Sequence, residues 1–95
     1  MKAHKPKTLI QWLNIYILYH KSFPANEKKP FSRILSTYHK GNADVWYLSY
    51  KGHFVGLAIT INSNDTILLD YYAISPNMRG YGLGSRFLRS MQKHY

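Results

Sequence analysis

From Thr66 to Ile74 the chain reads Thr-Ile-Leu-Leu-Asp-Tyr-Tyr-Ala-Ile, and it then enters a segment bearing Gly80, Gly82 and Gly84. The almost continuous apolar run (Ile67, Leu68, Leu69, Tyr71, Tyr72, Ala73, Ile74) predicts a strand covered on both faces. Ser75 to Tyr81 reads as a loop. From Gly82 a helix places Leu83, Phe87, Leu88 and Met91 inward, with Arg86, Arg89 and Lys93 outward. A buried strand that passes through a glycine-bearing loop into an amphipathic helix needs layers on its faces, which the upstream sequence must supply.

Upstream, Thr8 can cap a helix from about Leu9 to His20, with Leu9, Leu13, Tyr16 and Ile17 on one face. Pro24 follows, then a polar loop from Ser22 to Lys29. Pro30 sits where the start of a second helix tolerates it. Phe31, Ile34, Leu35 and Tyr38 form one helical stripe, and Gly41 stops it. The period then changes. Val45 to Tyr50 is rich in aromatic and branched residues and reads as a strand. Lys51-Gly52 turns the chain into a second strand, His53 to Asn62. Ser63-Asn64-Asp65 makes a further turn into Thr66–Ile74. The order helix, helix, strand, strand, strand, helix is that of an α+β domain, an antiparallel β-meander with helices packed on its faces. No repeat or linker divides the 95 residues, so positions 1–95 read as one domain.

Composition removes several chemistries. There is no cysteine, so disulfides, thiol nucleophiles and cysteine metal sites are excluded, and the chain suits a reducing cytoplasm. Leu9 to Tyr19 is too short to span a bilayer and contains Gln11 and Asn14. It follows basic residues (Lys2, Lys5, Lys7) as a signal peptide would, but His20, Lys21 and Phe23 stand where a cleavage site would be, and it reads as a core helix. The histidines show no metal-binding spacing, and no metal is expected. Net charge is +9, from 13 Lys and Arg against four acids, which favours anionic partners.

The loop concentrates that preference. Glycine allows close backbone approach to a ligand. A helix N-terminus favours an anion by about 0.3–1 kcal/mol. Arg79 adds a fork of donors for phosphate oxygens. Together these describe a pyrophosphate cradle. The dinucleotide fingerprint would need glycine at Ser85, and the Gly-Lys-Ser/Thr of nucleoside-triphosphate loops is absent. The pattern present is Arg-x-x-Gly-x-Gly, at Arg79, Gly82 and Gly84.

With these residues, the stretch Asp70 to Leu88 resembles the signature strand, loop and helix of the GNAT superfamily of acyl-CoA-dependent N-acyltransferases. The upstream order of elements is similar too, with the family's first strand weak or missing. The resemblance implies a truncated GNAT-like fold without the usual C-terminal strand-helix-strand-strand portion. It implies that the backbone of Ala73 and Ile74 pairs with the pantetheine arm of acetyl-CoA, and that their N–H groups can hold the thioester carbonyl. It places the pyrophosphate on Arg79, Gly80, Tyr81, Gly82, Leu83, Gly84 and Ser85. The reaction implied is direct attack by an unidentified amine on acetyl-CoA in a ternary complex, without an acyl-enzyme.

Family members continue past this helix, and Tyr95 lies on the wrong element to serve as their tyrosine acid. A homodimer whose chains complete each other's sheet is one arrangement this suggests. As general base, Asp70 stands on the signature strand, with a lysine partner as its alternative role. Glu27 lies in the loop between the first two helices, beside Lys28 and Lys29. An inactive remnant that binds coenzyme A or a protein partner is a second reading. A small nucleic-acid module is a third and ranks lower, because Tyr47 falls on the opposite strand face from both Trp46 and Tyr50.

Overall fold

The computed structural model describes residues 2–24, 26, 28–63, 66–76 and 89. Six elements follow one another: β1 (Lys2–His4), α1 (Leu9–Ser22), α2 (Phe31–His39), β2 (Ala43–Tyr50), β3 (His53–Ser63) and β4 (Thr66–Ile74). The strands form an antiparallel sheet in the order β1-β2-β3-β4.

The local signals act as the sequence implies. Thr8 Oγ1 accepts the Gln11 backbone N–H at 3.2 Å and starts α1. Gly41, at φ +80°, ends α2 by donating its N–H to the Tyr38 carbonyl at 3.0 Å. Lys51 (φ 53°) and Gly52 (φ 82°) are both left-handed, and Tyr50 pairs with His53 across them. That is the two-residue geometry whose twist matches paired strands.

Two clusters fill the two sheet faces. Ile15, Leu18 and Tyr19 of α1 and Ile34 of α2 pack with Val45, Leu57, Ile59, Tyr71 and Ala73. On the opposite face Ala3, Trp46, Leu48, Val55 and Ala58 pack together, with Tyr50, Tyr72 and Ile74 against them. There the buried Trp46 Nε1–H donates to Thr60 Oγ1 at 3.2 Å. Tyr47 borders the first cluster, so it is on the other face from Trp46 and Tyr50.

Three expectations are corrected. The face of α1 is rotated: Leu9 is 84% exposed and Leu13 52%, with Tyr16 and Ile17 exposed as well, while Ile15, Leu18 and Tyr19 are buried. The helix is apolar around most of its circumference, so apolar spacing alone picks no face. A strand absent from the sequence reading, β1, pairs Ala3 with Leu48 and buries it. β4 is not covered along its length: Ile67, Leu68 and Leu69 are exposed, and only Tyr71 and Ala73 are buried. Among the described residues β4 is an edge strand, with β3 on one side. The helix expected from Gly82 lies outside the described residues, apart from Arg89, which is helical and exposed.

Candidate cofactor and acceptor site

Two irregularities shape the part of the sheet next to the glycine-bearing segment. In the β2–β3 pair, Ser49 faces Phe54 and Leu48 faces Gly56, leaving Val55 as an extra residue. In the β3–β4 pair, Thr60 faces Leu69 and Ile59 faces Tyr71, leaving Asp70 as the extra residue. Such bulges bend a strand and re-aim its side chains. Here the second bulge lets Asp70 and Tyr71 both reach one loop residue, Lys29.

Past the bulge β4 runs close to β3. A side-chain carbon at Gly56 would intrude on the Ala73 carbonyl oxygen and lie 3.3 Å from Ile74 Cα. Only glycine allows that approach without displacing β4. Gly56 faces Ile74, Leu57 faces Ala73, and the Ser75 N–H continues the pairing by donating to the Val55 carbonyl at 2.7 Å. Ala73 and Ile74 are thereby fixed just before the motif. Ser75 and Pro76 then line a pocket of about 290 Å³ with Asn14, Ile17, Leu18 and Lys21 of α1 and Phe54 of β3. Arg79, Gly80, Tyr81, Gly82, Leu83, Gly84 and Ser85 lie outside the described residues, as does Glu27.

Asp70 has a lysine partner: Lys29 Nζ is 2.9 Å from its Oδ2, with both side chains partly exposed. The other polar atoms of Lys29 are held as well. Its carbonyl accepts from Tyr19 Oη at 2.7 Å, and its N–H donates to Tyr71 Oη at 3.1 Å. Rings of Tyr19 and Tyr71 meet edge to face at 5.1 Å, and Phe23 meets Tyr71 at 4.9 Å. Burial first, and then the Tyr71 hydroxyl, push the Tyr19 hydroxyl well above the ordinary tyrosine range, so it stays a donor. Beside it, Lys28 Nζ lies 2.6 Å from Nδ1 of His20, on α1. Sequence reasoning missed Lys29, Tyr19 and Tyr71, because their contacts join α1, the α1–α2 loop and β4 across distances that no local spacing encodes.

His53 opens β3 and is exposed. Among the described residues no three His, Cys, Asp or Glu side chains gather as metal ligands. No described helix is long and apolar enough to cross a membrane.

The model of the acetyltransferase (GNAT) family matches residues 12–95. The chain therefore belongs to that family. Its fold is similar to that of a solved structure from Bacteroides thetaiotaomicron assigned to the GNAT family of acetyltransferases, with a TM-score of 0.84 at 18% identity. The likeness covers 99% of this chain and 55% of that one, so the chain spans about half the length of that relative. At this identity the likeness speaks for the fold. No curated protein matches the chain. The short β1 (Lys2–His4) precedes the matched segment, in the part of the chain where the family's first strand was expected to be weak or missing.

Proposed function

We propose that the chain is an acetyltransferase module that binds acetyl-CoA along the end of β4 and transfers its acetyl group to an amine. The observation that carries this reading is the continuity of the site. Gly56 lets β3 and β4 close up at Ala73 and Ile74, and β4 then leads through Ser75 and Pro76 into the Arg79–Ser85 motif.

In this reading the backbone of Ala73 and Ile74 aligns the pantetheine arm and holds the thioester carbonyl. Arg79, Gly80, Tyr81, Gly82, Leu83, Gly84 and Ser85 bind the pyrophosphate. Asp70 accepts the proton of the acceptor amine, with Glu27 as the second candidate. The amine attacks the thioester carbon in a ternary complex, the C–N bond forms, and coenzyme A leaves as the thiolate. Among the described residues β4 is an edge strand, and a second copy of the chain is the proposed source of a strand that pairs with it. The absence of cysteine suits a cytoplasmic setting.

One observation favours a second reading, binding without transfer: an oxygen of Asp70 is already engaged by Lys29. Thiol release from acetyl-CoA, followed against a panel of primary amines, separates the two. Amine-dependent release that Asp70→Asn abolishes supports transfer. Release that is no faster with any amine than in buffer rejects it.

A further inference from the structure

Lys29 is a primary amine held against the carboxylate proposed as the general base. Its carbonyl and N–H are bonded to Tyr19 and Tyr71, so its backbone is anchored to α1 and to β4 together. From that anchor the side chain places Nζ 2.9 Å from Asp70 Oδ2. The Lys29 side chain is 43% exposed, so burial does not bar a reagent from it. Lys28, its neighbour in the same loop, instead directs its amine to His20 on α1. The two lysines differ in the partner of their amines, and only Lys29 contacts the strand proposed to carry the cofactor.

We propose that Lys29 is a self-acetylation site, an internal acceptor that takes an acetyl group from acetyl-CoA bound to the same fold. This rests on the acetyltransferase reading above. Asp70 removes a proton from the Lys29 ammonium, and the neutral amine attacks the thioester carbonyl carbon. The C–N bond forms, the C–S bond breaks, and coenzyme A leaves as a thiolate that takes up the second proton lost by the attacking nitrogen. The product is a neutral amide that can no longer form the ion pair. Acetylation thus removes the internal occupant of Asp70 and opens the carboxylate to an external amine, which makes the modification an activating one.

The test incubates the 95-residue chain with trideuteroacetyl-CoA and follows each lysine by peptide mass spectrometry. Lys40 and Lys51, both exposed, report uncatalysed acylation. The label should enter Lys29 at least ~10-fold faster than Lys40 or Lys51, a modest share of what a positioned base supplies. Asp70→Asn should bring Lys29 down to their rate. Lys29→Arg keeps a cation for Asp70 but offers no acceptor, so total labelling should fall to the uncatalysed level. Labelling of Lys29 at the same rate as Lys40 and Lys51 overturns the proposal. A melting-temperature shift with acetyl-CoA, measured in parallel, separates the failures. Binding without label in Lys29 rejects self-acetylation alone, whereas no binding rejects the acetyltransferase reading and this proposal with it.

Discussion

Lys29 Nζ meets Asp70 Oδ2 at 2.9 Å, joining the loop after α1 to the bulge of β4 across 41 residues of chain. Both side chains are partly exposed, so the ion pair itself contributes only about 0.2–1 kcal/mol. The hydrogen bonds that Tyr19 and Tyr71 make to the Lys29 backbone should each contribute about as much or slightly more, near 1 kcal/mol. The assembly therefore fixes position more than it adds stability. It sets the distance between the α1–α2 loop and the strand proposed to carry the acetyl group.

Tyr71→Phe keeps the ring against Tyr19 and Phe23 but leaves the Lys29 N–H without its acceptor. The expected loss is about 1–3 kcal/mol, the cost of orphaning a partly buried donor. Urea denaturation measures it. A loss below a few tenths of a kcal/mol would show that water replaces the hydroxyl and that the loop is not held there.

Tyr19 gives the molecule an alkaline limit. Its hydroxyl titrates above the ordinary tyrosine value of 10.0 in the folded state, chiefly through burial. Above about pH 10 the unfolded chain loses this proton first, so it binds fewer protons than the native state and stability falls as pH rises. Melting temperatures from pH 8 to 11 should decline, and the decline should be shallower in Tyr19→Phe. Parallel curves for the two proteins would contradict the assignment.

Gly56→Val tests the close approach of β3 to β4. The new side chain meets the Ala73 carbonyl and Ile74, and the overpacking should destabilise the domain by about 1–3 kcal/mol. It should also weaken acetyl-CoA binding beyond what the stability loss explains, because the displaced backbone is the proposed pantetheine edge. Unchanged affinity in the folded variant would remove Ala73 and Ile74 from the site.

The rotated face of α1 predicts a contrast between neighbours. Ile15→Ala, at a fully buried position, should cost about 2–5 kcal/mol. Leu13→Ala, on the exposed side, should stay within about 1 kcal/mol of the parent. Equal losses in chemical denaturation would mean that the Leu13 face is covered in solution.

What the sequence could reveal depended on how local each signal was. The cap at Thr8, the stop at Gly41 and the turn at Lys51-Gly52 each depend on a few adjacent residues, and all three form as read. The face of α1 was hidden because Leu9, Ile10, Leu13, Tyr16 and Ile17 are as apolar as the residues that pack, and only the sheet beneath selects Ile15, Leu18 and Tyr19. β1 has three residues, too few for alternation to register. The apolar run of β4 suggested cover on both sides, yet its first half is exposed at the sheet edge. Of the candidate site, the Arg79–Ser85 motif stands out in the sequence because its arginine and three glycines fall within a few residues of one another, and its role remains a proposal because it lies outside the described residues. The tie between Lys29 and Asp70 was not, since a bulge and a loop had to bring them together.

Everything proposed for catalysis depends on acetyl-CoA binding at the end of β4 and the motif after it. Calorimetric titration of the chain with acetyl-CoA, repeated with Arg79→Glu, tests it most directly. Saturable binding near one cofactor per chain is expected, weakened at least ~10-fold by the charge reversal, which corresponds to about 1.4 kcal/mol. Absence of binding to the folded chain, or equal affinity for parent and variant, would contradict it.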